Sequence, residues 1–380
     1  MFDSRLSWSR DEQADRTIRV EEIRMSFESV AERDGCTFQL PRPIPRFVGL
    51  IAVTGALVGC EMGKAEEEQA EEAHDELLET ARTLFGTLEP APDETLQEQD
   101  VVLGRALFWD ERLSYDGRTS CASCHTAETW GSDARSPSID ARGEPTSRQS
   151  QTVFNATRQP ALRWLADRED AASQAHGSIT GSMGFSDAQD IVPLLLEHGY
   201  EEAFHEAFPE DDEPVSPENY GRALQAYQST LKTPAPFDAY LAGDTDALDQ
   251  EQREGLDLFV STGCAGCHSG TLLGGERIER FGIAEEYWVA TGSEPIDPGR
   301  YAVTGEDGDR YLFRTPMLRN VAKTAPYFHD GTVASLHEAV EIMARVQLNR
   351  SLSAEDLDRI VAFLESLSGE VPPNYSEPGG

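Results

Sequence analysis

Apolar residues recur along this chain mostly at helical spacing. Ser216 and Pro217 open a stretch in which Tyr220, Leu224, Tyr227 and Leu231 share one face, and Ser353 opens another carrying Leu357, Ile360, Val361 and Leu364. A serine that caps free amide groups and a proline in the first turn are both helix-start signals. Two further helical stretches repeat one spacing: Gly104, Leu107 and Phe108 return as Gly255, Leu258 and Phe259. The repeat predicts two related units, each with a helix packed closely on another. Strand-type alternation is nearly absent, so the expected fold class is all-α. The Pro-rich and acidic stretches at 89–94 and 208–217 read as connections.

One apolar segment breaks this pattern. Residues 47–59, FVGLIAVTGALVG, carry no charge, follow Arg42 and Arg46, and end at Cys60. That is the core of an export signal, too short for a membrane span. Leu57 to Cys60 match a bacterial lipobox, which predicts lipidation of Cys60 and anchoring of a periplasmic protein to a membrane. The alternative, a buried core segment, is disfavoured by the nine acids and single lysine of residues 61–80, which read as a solvated tether. The 46 largely polar residues before the apolar core exceed a normal leader, which makes a start downstream of Met1 the alternative.

Composition narrows the partners. The 380 residues hold 69 acids against 32 bases, a formal net charge of -37, and only Lys64, Lys232 and Lys323 are lysines. Such a surface cannot bind nucleic acid through a basic face and is suited to high salt, where its self-repulsion is screened. It also favours basic or neutral redox partners. With 39% hydrophobic residues the chain can still build cores, so wholesale disorder is excluded.

Six cysteines stand at 36, 60, 121, 124, 264 and 267. Cys36 and Cys60 belong to the expected leader and its lipobox, which leaves two pairs. Each pair is a C-x-x-C followed directly by histidine: Cys121, Cys124 and His125, then Cys264, Cys267 and His268. This is the attachment signature of c-type haem, in which two thiols on one turn meet the haem vinyl groups and the next imidazole reaches the iron. A four-cysteine zinc site and a redox disulfide are the competing readings. Neither calls for a histidine directly after both pairs.

With these motifs the chain resembles the bacterial di-haem cytochrome c peroxidase family, whose relatives include the di-haem enzyme that matures a tryptophan-derived quinone in a partner protein. The resemblance runs from about Leu103 to Pro372, through LGRALFWDERLS, GCAGCHSG and FRTPMLRNVAKTAPYFHDGTVASLHEAVEIMARVQL. It implies two cytochrome c-like haem domains with an interface between them: a peroxidatic domain at 88–243 and an electron-receiving domain at 244–372. Before them lie the leader, 1–59, and the acidic tether, 60–87; after them lies a tail, 373–380. It implies two covalently bound haems c, with His125 and His268 as proximal ligands and Met343, fourteen residues after His329, as the thioether ligand of the second iron. Trp164 takes the place of the inter-haem tryptophan and Gln174 that of a distal glutamine. Thr324, Pro326 and Gln149 match a calcium site, with Gln149 where the family has asparagine.

Two departures fall beside the first haem. The distal loop histidine of the family is Ala141 here, and its catalytic glutamate falls on Gly184. His176, Met183 and Asp187 are the nearby residues able to act as ligand or acid, against a plain reading as loop residues. The implied activity is reduction of hydrogen peroxide to water with electrons from a small cytochrome c or cupredoxin. Two alternatives remain: a di-haem oxidase that modifies a partner protein, and a non-catalytic di-haem electron carrier. The quinone-maturing relative has tyrosine at the second haem, so Met343 argues against its closest version, while the missing distal residues favour the carrier. A homodimer is compatible with all three.

Overall fold

Two helix pairs organise the chain, and both are built on the repeated glycine. Helix Gln99–Trp109 crosses helix Pro217–Ser229, and helix Gln250–Thr262 crosses helix Ala354–Glu365. A methyl group added at Gly104 would lie 1.9 Å from the carbonyl oxygen of Ala223, and one added at Gly255 would lie 1.9 Å from that of Arg359. Only a residue without Cβ permits backbones to approach so closely. The helix starts follow the capping signals: Ser216 accepts from the amide of Asn219 and Ser353 from that of Asp356. The helix from Gln250 starts on a capping box of Asp249 and Gln252.

The computed structural model describes residues 73–379. The leader, the lipobox cysteine Cys60 and Cys36 therefore lie outside the described residues. Among the described residues no helix is long and apolar enough to cross a membrane. From Leu77 onward the chain is one compact unit. Its fold is all-α apart from a short antiparallel ribbon, in which Ile278–Arg280 pairs with Leu312–Arg314.

Each helix pair closes an apolar core. Leu107, Phe108, Tyr220, Leu224 and Tyr227 form the first with Phe154, while Leu256, Phe259, Ile360, Phe363 and Leu364 form the second with Phe237 and Tyr240. Each such side chain, taken fully out of water, contributes about 1.5–3 kcal/mol. A third cluster gathers Phe281, Tyr287 and Phe313 beside the ribbon, with Leu165 and Met343 packed on it.

Three expected boundaries shift. Residues 77–87 are not a solvated tether: Leu78 and Ala81, on one face of the helix that ends at residue 84, and Phe85 directly after it are buried in the second core. The acids occupy the other faces, so a strongly acidic count conceals an amphipathic helix. The boundary at 243/244 also moves toward the N-terminus, because helix Pro236–Ala242 puts Phe237, Tyr240 and Leu241 into the second core. The tail at 373–380 returns to the first core, where Tyr375 is 5% exposed and packs edge-on against Phe154 with ring centres 4.7 Å apart.

Arg319 and Asp238 tie distant segments together. The guanidinium donates two bonds to Asp238, at 2.6 and 2.9 Å, and the same carboxylate accepts from the amides of Leu88 and Ala235. A fully buried charge is tolerated because it is paired and every oxygen is bonded.

Candidate functional site

Ser120 precedes a single helical turn, Cys121–Cys124, that presents both thiols beside His125. Both thiols and His125 line one cavity with Phe108 and Leu224 from the first helix pair. The Nδ1 of His125 lies 2.7 Å from the carbonyl oxygen of Gly131, so it must carry the proton and leave the Nε2 lone pair free. Tyr375 donates its hydroxyl to the carbonyl of His125, which anchors the residue from behind. Burial lowers the pKa of this imidazole, keeping it neutral and able to ligate at neutral pH.

The second site repeats the design. Cys264, Cys267 and His268 follow helix Gln250–Thr262, and His268 Nδ1 lies 3.1 Å from the carbonyl oxygen of Leu273. Burial pulls the His268 pKa down to about 4. Gly274 is at φ +122°, and a Cβ there would sit 2.3 Å from the oxygen of Pro316 and 3.1 Å from His268 Nδ1. Glycine thus lets the chain wrap tightly around the proximal imidazole. Helix Leu336–Leu348 brings Met343 into the two cavities that His268 lines.

All four thiols are free and partly buried, and burial raises their pKa values, to about 12 for Cys121 and about 11 for Cys264. The two pairs line different cavities, so they do not form one four-sulfur zinc site. A covalent haem fits each cavity: two thiols on one turn, a fixed neutral imidazole with a free Nε2, apolar helix faces around them, and a methionine facing the second.

On the far side of the first cavity, helix Ala171–Thr180 contributes Gln174, whose Oε1 is buried without a hydrogen-bond partner. An unbonded buried amide oxygen is costly and points to an acceptor awaiting a ligand proton. Met183 is 3% exposed and lines the same cavity. His176 faces away, its Nε2 3.8 Å from Glu218 Oε1 and its side chain 41% exposed, and Asp187 is used to cap the next turn. The two substituted positions are adjacent. Ala141 donates its amide to Ser182, and a Cβ on Gly184 would stand 3.4 Å from that of Ala141 and 3.1 Å from that of Tyr115. With φ at +82°, position 184 does not accommodate a glutamate without strain.

Trp164 stands in the walls of the cavities of both His125 and His268. Its indole N–H donates to the carbonyl of Gln149 at 3.0 Å. Gln149, Thr324 and Pro326 line one cavity, and the amide of Gln149 donates to the carbonyl of His329. Among the described residues no cluster of three or more His, Cys, Asp or Glu forms a metal site.

Two residues at this junction escaped the sequence reading. His329, which served there only as a landmark for Met343, is 2% exposed, its ring 4.4 Å from that of Phe313. Arg314 is equally buried and borders both haem cavities. Both lie inside the long C-terminal motif, but a motif does not say which of its side chains face inward.

Comparison with known proteins agrees with this geometry. Residues 98–246 match the family model described as di-haem cytochrome c peroxidase. The chain is 40% identical over 307 residues to cytochrome c551 peroxidase of Pseudomonas aeruginosa, covering 80% of this chain and 88% of that protein. It is 36% identical over 291 residues to the cytochrome c551 peroxidase of Nitrosomonas europaea, covering 75% and 85%. Among solved structures, a MauG-like protein associated with microbial copper homeostasis superposes with a TM-score of 0.66 at 28% identity, covering 77% of this chain and 97% of that one. Two haem-attachment motifs on matched helix pairs, with relatives of this similarity over most of the chain, place the protein in the di-haem cytochrome c peroxidase family of oxidoreductases.

Proposed function

We propose that the protein reduces hydrogen peroxide to water at the His125 cavity, with electrons received at the His268 and Met343 cavity from a small cytochrome c or cupredoxin. The observation that carries this reading is Trp164 between two cavities, each with a proximal histidine whose Nε2 is free, together with the unbonded Gln174 amide oxygen beside the first. Haem iron, when bound, supplies the redox chemistry. The chain's own residues do the rest. His125 and His268 hold fixed neutral imidazoles, Met343 offers a soft thioether that raises the potential of its iron, and Gln174 accepts a hydrogen bond from a peroxide hydroxyl. Trp164 is the side chain along which electrons cross.

Breaking the O–O bond needs a proton moved from one peroxide oxygen to the other. No carboxylate stands at position 184, and the cavity that Gln174 shares with Cys121, Cys124 and His125 is lined by neutral side chains, Ser178, Ser182 and Gln228 among them, while Asp140 and Asp167 line only the neighbouring cavity shared with Trp164. This one observation favours the second reading, a di-haem electron carrier. Stopped-flow consumption of peroxide by the holoprotein with a reduced small cytochrome decides between them: turnover supports the peroxidase, and its absence in a protein carrying both haems supports the carrier.

The proposal extends to location and metal. The segment ending at Cys60 supports export to the periplasm and a lipid anchor, tested by whether a Cys60→Ser protein leaves the membrane fraction. A calcium ion at Gln149, Thr324 and Pro326 would meet oxygen ligands but no carboxylate, so we assign it weak binding, tested by titrating calcium into chelator-treated protein. A homodimer is tested by sedimentation.

A further inference from the structure

Among the described residues two arginines are buried to 2% exposure or less, and they are treated differently. Arg319 is fully neutralised by Asp238. Arg314 has no carboxylate within ion-pair distance among the described residues; its guanidinium donates to the carbonyl of Arg163 at 2.9 Å, to Gln151 Oε1 at 2.8 Å and to Gln159 Oε1. Three of its five N–H groups are thus used, and only by neutral acceptors, which leaves two free. Burial alone acts on it, drawing its pKa down to about 10. An unpaired buried cation is among the most costly features a fold can carry, so its anion is expected to arrive from outside the polypeptide.

The surroundings say which anion. Arg314 ends the strand Leu312–Arg314, borders the two cavities shared by His268 and Met343, and also borders the cavity of His125. Haem carries two carboxylates on the edge opposite its thioether-forming vinyl groups. We infer that Arg314 is the anion site for a carboxylate of the haem held by Cys264 and Cys267, and that this fixed positive charge raises the potential of that haem.

The same residue positions the crossing point. Its amide donates to the carbonyl of Trp164 at 2.7 Å while its Nε holds the carbonyl of Arg163, so the guanidinium and the tryptophan are locked to one strand. Arg314 therefore acts on electron transfer through position and field, and not by touching the substrate.

This inference rests on the two-haem reading, and its test separates the two. Arg314→Gln and Arg314→Lys holoproteins are compared with wild type by mass spectrometry for haem content and by spectroelectrochemistry over a pH series. In Arg314→Gln both haems remain attached, the potential of the Met343-side haem shifts downward, and it gains a dependence on pH where a carboxylic acid titrates. Arg314→Lys moves the potential back toward wild type. Redox-difference infrared spectra of the wild-type protein serve should the glutamine variant not fold: the haem carboxylate band stays ionised below the ordinary carboxylic acid range. An Arg314→Gln protein with two haems and an unchanged, pH-independent potential overturns the inference alone, as does a wild-type carboxylate that titrates normally. A wild-type protein lacking haem at Cys264 and Cys267 overturns the inference together with the reading beneath it.

Discussion

Replacing Gly255 by alanine tests the claim that the repeated glycine sets each helix crossing. By helix propensity alone the change is favourable by about 1 kcal/mol. The structure reverses the sign: the new methyl would lie 1.9 Å from the carbonyl oxygen of Arg359 and 3.0 Å from Cβ of Phe363, roughly 1.5 Å inside ordinary contact for the first. A side chain could rotate away, but a helix carbonyl cannot, so the helices must separate. Overpacking costs about 1–3 kcal/mol and sits at or above the top of that range when backbone must move. The expected net loss is about 2 kcal/mol. Separation would also disturb Phe259, whose ring centre is 6.5 Å from that of His268, so the second haem's absorption spectrum should change with stability. Gly266, with nothing within 4 Å of an added Cβ, provides the control, and Ser123 already occupies the equivalent place in the first motif. The assay is thermal and denaturant unfolding of the holoproteins. A Gly255→Ala protein as stable as wild type, with an unchanged spectrum, would refute the reasoning.

Further outcomes follow from other residues. Arg319→Met leaves Asp238 buried without its counterion and should cost about 3–5 kcal/mol in denaturant unfolding; the double change Arg319→Met with Asp238→Asn should recover part of it. Met343→Ala should lower the potential of the second haem while both haems stay attached, as read by spectroelectrochemistry and mass spectrometry. Because Ala141 cannot coordinate iron and His176 points away, the oxidised protein should show a high-spin component at the first haem that is insensitive to His176→Ala; among the described residues lining that cavity, Met183 is the side chain outside the attachment motif that could ligate, and a spectrum that turns high-spin only in Met183→Ala would assign it as the ligand. Gln174→Leu should lower kcat/KM for peroxide by about 10² without loss of haem. Gly184→Glu should destabilise the protein instead of restoring an acid, since its backbone is left-handed and Tyr115 and Arg142 crowd it.

The chemistry-bearing groups were legible in order along the chain because haem attachment is local: two thiols and an imidazole within five residues need no tertiary partner to be recognised. Helix starts at Ser216 and Ser353 were legible for the same reason, since a cap is satisfied by amides two or three residues away. What lies across the cavities was not. Met183 and His176 are seven residues apart with equal claim in sequence, yet only the turn after the helix decides that Met183 is buried against the first cavity while His176 meets Glu218. The acids of residues 71–79 hid the face that buries Leu78, Ala81 and Phe85, because a charge count has no direction and a helix face does. Arg314 reads in sequence as one more arginine of a basic-looking motif. Its meaning depends on Gln151, Gln159 and Arg163, about 150 residues earlier, and on the absence, among the described residues, of a carboxylate within ion-pair distance, and a missing partner is visible only when the neighbours in space are known.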